Sequence, residues 1–331
     1  MIECIEFKNF KVLRDTTLPL GRFTLIVGPN GSGKSTALEA LWLMGRSDFD
    51  HVATRGVDDD VTVRLDWTRT EDGLQPCTKG TWSSTQKKGT RQHLNSDGAS
   101  FGGPKDDLNR FLDDARIFAL NPDRIAQPVQ LQPKIALGAD GFGLAGVLDR
   151  LRDNHPERFE ELNRELSRWL PEFNRVLFDV PQTGQRTISL RTIWGHSIPA
   201  SDLSHGSLLA LAILTLAYIP DPPPLVAFED PDRGLHPRLL RDVQEALYRL
   251  AYPESYGENR PPVQVIATTH SPYFLDLFKD CPEEIVIAQK RNGDAVFERL
   301  SDHPHIDEIL ADAPLGEVWY SGILGGVPVA P

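Results

Sequence analysis

The chain is 331 residues long and carries 35 Lys and Arg against 47 Asp and Glu, a formal net charge of −12. That balance excludes a protein whose whole surface serves a polyanion, and the length allows about two domains of roughly 150 residues, or one large α/β unit with insertions. A 40 % apolar fraction with 26 Gly beside it argues against wholesale disorder, and three cysteines, at 4, 77 and 281, argue against a disulfide framework or a Cys-rich zinc site.

From the start, Ile2, Ile5 and Phe7 and then the run Phe23 to Val27 predict short strands, with Glu3, Glu6 and Lys8 interrupting any signal-peptide segment. A glycine-rich loop, Gly28 to Gly33, follows, and Ser35 to Leu43 are good helix formers stopped by Gly45. Val61 to Trp67 alternate apolar and polar residues, as a half-exposed antiparallel strand does. Residues 71–104 are polar and rich in Gly, Thr and Ser, and read as a hairpin arm or mobile loop inserted in the first lobe.

A short helix is expected near Asp106 to Asp113 and a strand at Ile117 to Leu120, ending at Asn121-Pro122. Gly138 to Gly143 open two helices; the second, Pro156 to Leu170, spaces Phe159, Leu162, Leu166 and Trp169 as a core stripe. Ile188 to Ile193 read as a strand, Leu203 to Tyr218 as a buried helix and Leu225 to Phe228 as a buried strand. A helix from Arg238 to Tyr252, a strand from Val263 to Ala267 and a hairpin turning at Asn292-Gly293 complete the pattern. Alternating strands and helices with a late antiparallel pair predict an α/β sheet. The longest apolar stretch, Leu208 to Ile219, is about half of the roughly 20 residues a membrane helix needs, so a soluble cytoplasmic protein is expected.

Gly28-Pro29-Asn30-Gly31-Ser32-Gly33-Lys34-Ser35 satisfies GxxxxGK[ST] between a strand and a helix, the context of a P-loop NTPase. Glycines let backbone N–H groups converge on phosphate oxygens at a helix N-terminus. Lys34 is suited to the β- and γ-phosphates of ATP, Ser35 to Mg²⁺ and Thr36 to a phosphate oxygen. Leu225 to Phe228 run into Glu229 and Asp230, two carboxylates that an extended backbone turns to different neighbours, one toward a metal and one toward water. Ser204 is an N-cap, and Ser204-His205-Gly206 at a helix start also offers N–H donors to a γ-phosphate. His270, in Thr268-Thr269-His270-Ser271-Pro272, follows a strand where a polar sensor at the sheet's carboxyl edge would sit.

These motifs, in this order, together with Ile5-Glu6-Phe7-Lys8-Asn9-Phe10-Lys11, resemble the ABC-type ATPase heads of the SMC, RecF and OLD group. The run from Glu229 to Pro237 and the tail from Leu315 to Gly322 are similar to its prokaryotic "predicted ATPase" branch. The resemblance implies an ABC ATPase head with an antiparallel β subdomain and a helical subdomain. Its lobes would be 1–135 with the P-loop, 136–200 as a helical lid region, and 201–331 with signature, acids and switch histidine, forming one composite domain.

Position by position, the resemblance makes Asn30, Gly31, Ser32, Gly33, Lys34, Ser35 and Thr36 the nucleotide residues. Ser35 and Glu229 hold the metal, Asp230 positions attacking water, His270 is the switch histidine, and Ser204 and Gly206 touch ATP held by a second subunit. It thus implies an ATP-dependent homodimer. The usual order, Asp then Glu before the proline, is reversed here, and a water-positioning acid one methylene shorter implies slow hydrolysis. Gln127 and Gln130 are the candidates for the Q-loop glutamine.

The leading function is an Mg²⁺-dependent ATPase regulating a partner effector or DNA, in phage defence or DNA repair. The alternatives are a nucleotide-gated binding module with little hydrolysis and a transporter ATPase subunit, which the tail disfavours. Lys79, Lys87, Lys88 and Arg91, opposed mainly by Asp97, form a basic island and a candidate DNA contact. About 60 residues follow His270, too few for an added nuclease domain of typical size, so any cutting is expected from a separate polypeptide.

Overall fold

The computed structural model describes residues 1–46, 53–54, 59–71, 73–83, 88–95, 98–291, 293–306, 308 and 313–324. The chain divides into two compact units, each assembled from separate stretches. The first comprises Met1–Ile117, Pro223–Ala227 and Val263–Pro331, and the second Phe118–Pro222 and Phe228–Pro262.

The first unit contains an antiparallel sheet ordered β2-β1-β4-β5-β6, made of β1 (Ile2–Phe10), β2 (Leu13–Pro19), β4 (Val61–Trp67), β5 (Pro76–Ser83) and β6 (Lys88–Asn95). The polar stretch 71–104 therefore does not stand off as an arm; its hairpin β5–β6 completes this sheet and buries Cys77, Thr78 and Trp82. Burying the polar Thr78 costs little because its hydroxyl is satisfied: Trp67 Nε1 donates to Thr78 Oγ1 at 2.9 Å, and His93 Nδ1 lies 2.9 Å from the same oxygen.

A second sheet runs β15-β14-β3-β13-β12-β7, from β3 (Phe23–Val27), β7 (Arg116–Phe118), β12 (Leu225–Phe228), β13 (Gln264–Thr269), β14 (Ile285–Arg291) and β15 (Asp294–Arg299). Here β3 lies parallel between β13 and β14, and β14–β15 is the late antiparallel pair expected from the sequence. Asn292, half of its expected Asn-Gly turn, lies outside the described residues. Every residue of β3, β12 and β13 is buried, which is why these strands read as continuous apolar or Thr-rich runs.

The helix α1 (Lys34–Met44) shares one core with both sheets: Ile5, Phe7 and Leu18, then Ile26, Val286 and Ala288, meet Ala37, Leu38 and Leu41. Each large apolar side chain so buried contributes about 1.5–3 kcal/mol. Gly45 ends α1 with right-handed φ of −79°; glycine is needed there for space, since a Cβ would stand 2.5 Å from the Leu112 carbonyl.

In the second unit, β10 (Gln185–Thr192) pairs antiparallel with β8 (Val129–Gln130), β9 (Phe173–Asp179) and β11 (Ser197–Pro199). The helices α4 (Leu144–Asn154) and α5 (Pro156–Trp169) pack on this sheet, with Phe159, Leu162, Leu166 and Trp169 buried as expected. Next, α6 (His205–Tyr218) is buried on all sides from Ser207 onward, as a helix apolar all round must be. It packs against α5, α7 (Leu240–Ala251) and the short α3 (Pro122–Ile125). Among the described residues, no helix is long and apolar enough to cross a membrane.

Candidate functional site

In the first unit, β3 delivers the chain into the glycine loop. Gly31 and Gly33 adopt φ of 76° and 99°, a left-handed region that disfavours any residue with a Cβ. Gly28 is fixed by space instead: a Cβ there would stand 2.1 Å from the Ala288 carbonyl oxygen and 2.9 Å from Ser32 Oγ. At Gly33 it would also meet Leu13 Cδ2 at 2.7 Å. The glycine spacing is thus a demand of this backbone.

Gly33 caps α1 without a side-chain acceptor, so the first-turn N–H groups are served by no side-chain cap. Lys34 is buried, and its Nζ donates to the carbonyls of Gly28 at 2.8 Å and Pro29 at 3.2 Å, which holds the ammonium across the loop. Ser32 Oγ is buried with no hydrogen-bond partner among the described residues. Backbone N–H groups, one ammonium and one buried hydroxyl at the start of an 11-residue helix make a donor set that fits a phosphate chain. Asn30 and Ser35 are exposed and Thr36 half-buried at the same loop and first turn.

Parallel pairing of β13 with β3 matches Thr269 to Val27, so His270 and Gly28 leave the sheet at the same edge. His270 is exposed there. Behind it, Thr269 Oγ1 accepts from the Ser271 N–H at 3.0 Å and Ser271 Oγ caps the next short helix by accepting from the Phe274 N–H at 3.3 Å.

The second unit gathers the other candidates. Glu229 follows β12, its N–H donating to the Phe118 carbonyl at 2.8 Å. Asp230 next to it has φ of 46°, left-handed for a residue with a Cβ, and its carbonyl accepts from the Arg233 N–H at 3.0 Å. Both acids line a cavity of about 570 Å³, together with Asn121, Asp123, His205 and Arg233. His205 Nε2 lies 4.0 Å from Asp123 Oδ1 there. Ser204 Oγ caps α6 by accepting from the Ser207 N–H at 3.1 Å, and it lies 2.8 Å from Ser207 Oγ. Gly206 is constrained by closeness: a Cβ would stand 3.1 Å from the Gly234 carbonyl oxygen. The start of α6 and the turn after the acids are therefore packed together.

Residues 80–276, more than half of the chain, match the domain family described as "AAA domain, putative AbiEii toxin, Type IV TA system". The chain belongs to this AAA domain family. Residues 1–88 match a second family of AAA ATPase domains. An OLD nuclease of Thermus scotoductus is 25% identical over 381 residues, covering 96% of this chain and 68% of that protein. The SMC head domain from Thermotoga maritima is 20% identical with a TM-score of 0.49, covering 90% of this chain and 98% of that one. The two AAA matches support the expected P-loop NTPase fold.

In this AAA ATPase the basic island does not present four free cations. Arg91 Nη1 donates to the Met44 carbonyl at 2.6 Å, capping the C-terminus of α1 where a cation also meets the helix dipole favourably. Lys79 is half-buried in β5. Lys87 and Asp97 lie outside the described residues, as does the side chain of Lys88. Gln127, one Q-loop candidate, has its Oε1 accepting from Arg124 Nη1 at 2.6 Å, and Gln130 sits in β8. Among the described residues no cluster of three or more His, Cys, Asp and Glu forms a ready-made metal site. Asp123 and Lys290 belong to no motif, and Arg233 lies within the run Glu229 to Pro237 without a role of its own; packing brings Asp123 and Arg233 to the cavity and strand register brings Lys290 beside Gly31, which spacing along a sequence does not display.

Proposed function

We propose that this AAA ATPase binds ATP with Mg²⁺ at its glycine loop, dimerises around the nucleotide and hydrolyses it to regulate a separate effector protein or DNA, in phage defence or DNA repair. The observation that carries the reading is the loop 28–35, where glycines at positions that exclude a Cβ bring N–H donors, Lys34 and the buried Ser32 hydroxyl to one helix start. On this reading the lobes 1–135, 136–200 and 201–331 act as one composite ATPase domain.

Asn30 through Gly33 wrap the phosphates, Lys34 exchanges its loop carbonyls for phosphate oxygens, and Thr36 donates its hydroxyl to one of them. Ser35 and Glu229 are the ligands for Mg²⁺, which when bound neutralises charge on the phosphate oxygens. Asp230 orients water, His270 senses the terminal phosphate, and Ser204 with Gly206 present α6 to nucleotide held by a second copy. The test is ATP binding and phosphate release by the purified protein with Mg²⁺. Lys34→Ala is expected to weaken ATP binding by at least roughly thirtyfold, since it removes a buried charge partner; unchanged binding would end the reading.

The Glu229-Asp230 order, with Asp230 in a left-handed backbone, also favours a second reading: a nucleotide-gated binding module with little turnover. ATP-driven dimerisation with phosphate release no faster than in Asp230→Ala would select it over the enzyme.

A further inference from the structure

The hairpin β14–β15 walls the glycine loop, and its residues follow from register. Ile287 is matched to Val27 in the parallel β14–β3 pair, so β14 runs on past the end of β3 for the four residues Ala288, Gln289, Lys290 and Arg291. Side chains alternate along a strand. Val286, Ala288 and Lys290 therefore share one face, and the first two lie in the core beneath α1. The contacts agree: a Cβ on Gly28 would strike the Ala288 carbonyl, one on Gly33 would meet Ala295 Cβ at 3.2 Å, and one on Gly31 would stand 3.6 Å from Lys290 Nζ. Ala295 is the cross-strand partner of Lys290. The neighbouring charges pair among themselves, Arg291 with Glu298 and Arg14 with Asp294, whereas Lys290 has no ion pair among the described residues.

We propose that Lys290 is a second nucleotide-binding cation, its ammonium set beside Gly31 and contacting the phosphate chain that the loop cradles. This rests on the ATP-binding reading above. A loop that serves only as a turn would gain nothing from an unpaired ammonium at its shoulder. Within an acidic chain of net charge −12, a local cation also offsets the repulsion a polyanionic ligand meets on approach.

The experiment compares Kd for ATP, with Mg²⁺, of the full chain and its variants by calorimetry at two salt concentrations. Lys290→Ala is expected to raise Kd about fivefold at low salt and to flatten its salt dependence, in keeping with one partly exposed charge contact. Lys290→Glu should weaken binding further, and Lys290→Arg should retain most of it. Lys279→Ala, an exposed lysine on another part of the same unit, should bind as the parent does. Lys290→Ala binding ATP like the parent, or no more weakly than Lys279→Ala, overturns the assignment while leaving the ATP site intact. A parent protein that binds no ATP overturns the functional reading, and Lys290's role with it. Because Lys290 is exposed, the variants are expected to keep the parent's circular dichroism spectrum and unfolding midpoint.

Discussion

Asp230 spends backbone strain where the proposed chemistry needs a carboxylate. Its φ of 46° costs a residue with a Cβ on the order of 1 kcal/mol, less for Asp than for most. Strain of this kind at a site is a reason to separate conformation from charge by mutation. Asp230→Gly is expected to raise stability by about 0.5–1 kcal/mol, read as a higher urea midpoint, while phosphate release falls. Asp230→Asn, which tolerates the same φ, should keep the parent's midpoint and lose release just as fully. A glycine variant with a lower midpoint would mean that the aspartate's contacts outweigh its strain. The acid itself was legible from its place after an apolar strand and before Pro231; its backbone was not, since nothing in the pair Glu229-Asp230 announces a left-handed turn. Lys290 was illegible for a different reason: its neighbour Gly31 is far away in sequence, and only the register of β14 on β3 brings them together.

Among the elements, the hairpin β5–β6 shows how a polar stretch enters a core. Its polar composition, rich in Gly, Thr and Ser, suggested a hairpin arm or mobile loop, and did not show where Thr78 and His93 would lie. The structure joins them in a relay: Trp67 Nε1 donates to Thr78 Oγ1, which lies 2.9 Å from His93 Nδ1, and His93 Nε2 lies 3.0 Å from Asn109 Oδ1. β4, β5, β6 and α2 (Lys105–Asp114) are tied by one chain of hydrogen bonds that the neutral imidazole completes. Burial, with Arg91 and Lys105 nearby, holds the His93 imidazole below its ordinary value of 6.5 despite the opposing bond from Asn109. The unfolded chain therefore takes up this proton first. Its contribution to stability is whole above pH 6.5 and is lost as pH falls through that value toward the folded pKa. The urea midpoint of the parent should drop between pH 7.5 and 5.5 by more than that of His93→Gln; equal drops would place the acid sensitivity elsewhere. The strand β9, by contrast, carried no clean alternation in Phe-Asn-Arg-Val-Leu-Phe-Asp, and its pairing with β10 decides it. The P-loop strand and helix were readable to within a residue because glycine punctuates an apolar run there.

For the whole molecule, charge sets the conditions under which the proposed dimer should form. Two copies each carrying −12 repel, and that repulsion is screened within about 10 Å at 0.1 M salt. At saturating ATP, sedimentation should therefore show association strengthening as salt rises from low to moderate concentration. Association that weakens steadily with salt would instead indicate a contact built on ion pairs. Composition made the acidic balance plain at once, but not how the two units are assembled, because each draws on both halves of the chain.

That interleaving bears on how the protein is made. The strand leading into the glycine loop, β3, ends at residue 27, yet the strands that flank it begin at residues 264 and 285. Translation proceeds at about 5–20 residues per second, so on the ribosome β3 waits on the order of ten seconds or more with both edges bare. Pairing across so long a separation is also slow once it becomes possible. A nascent chain therefore displays an apolar, unpaired strand well before it can own a finished phosphate cradle, which makes holding by chaperones during synthesis part of this fold's cost.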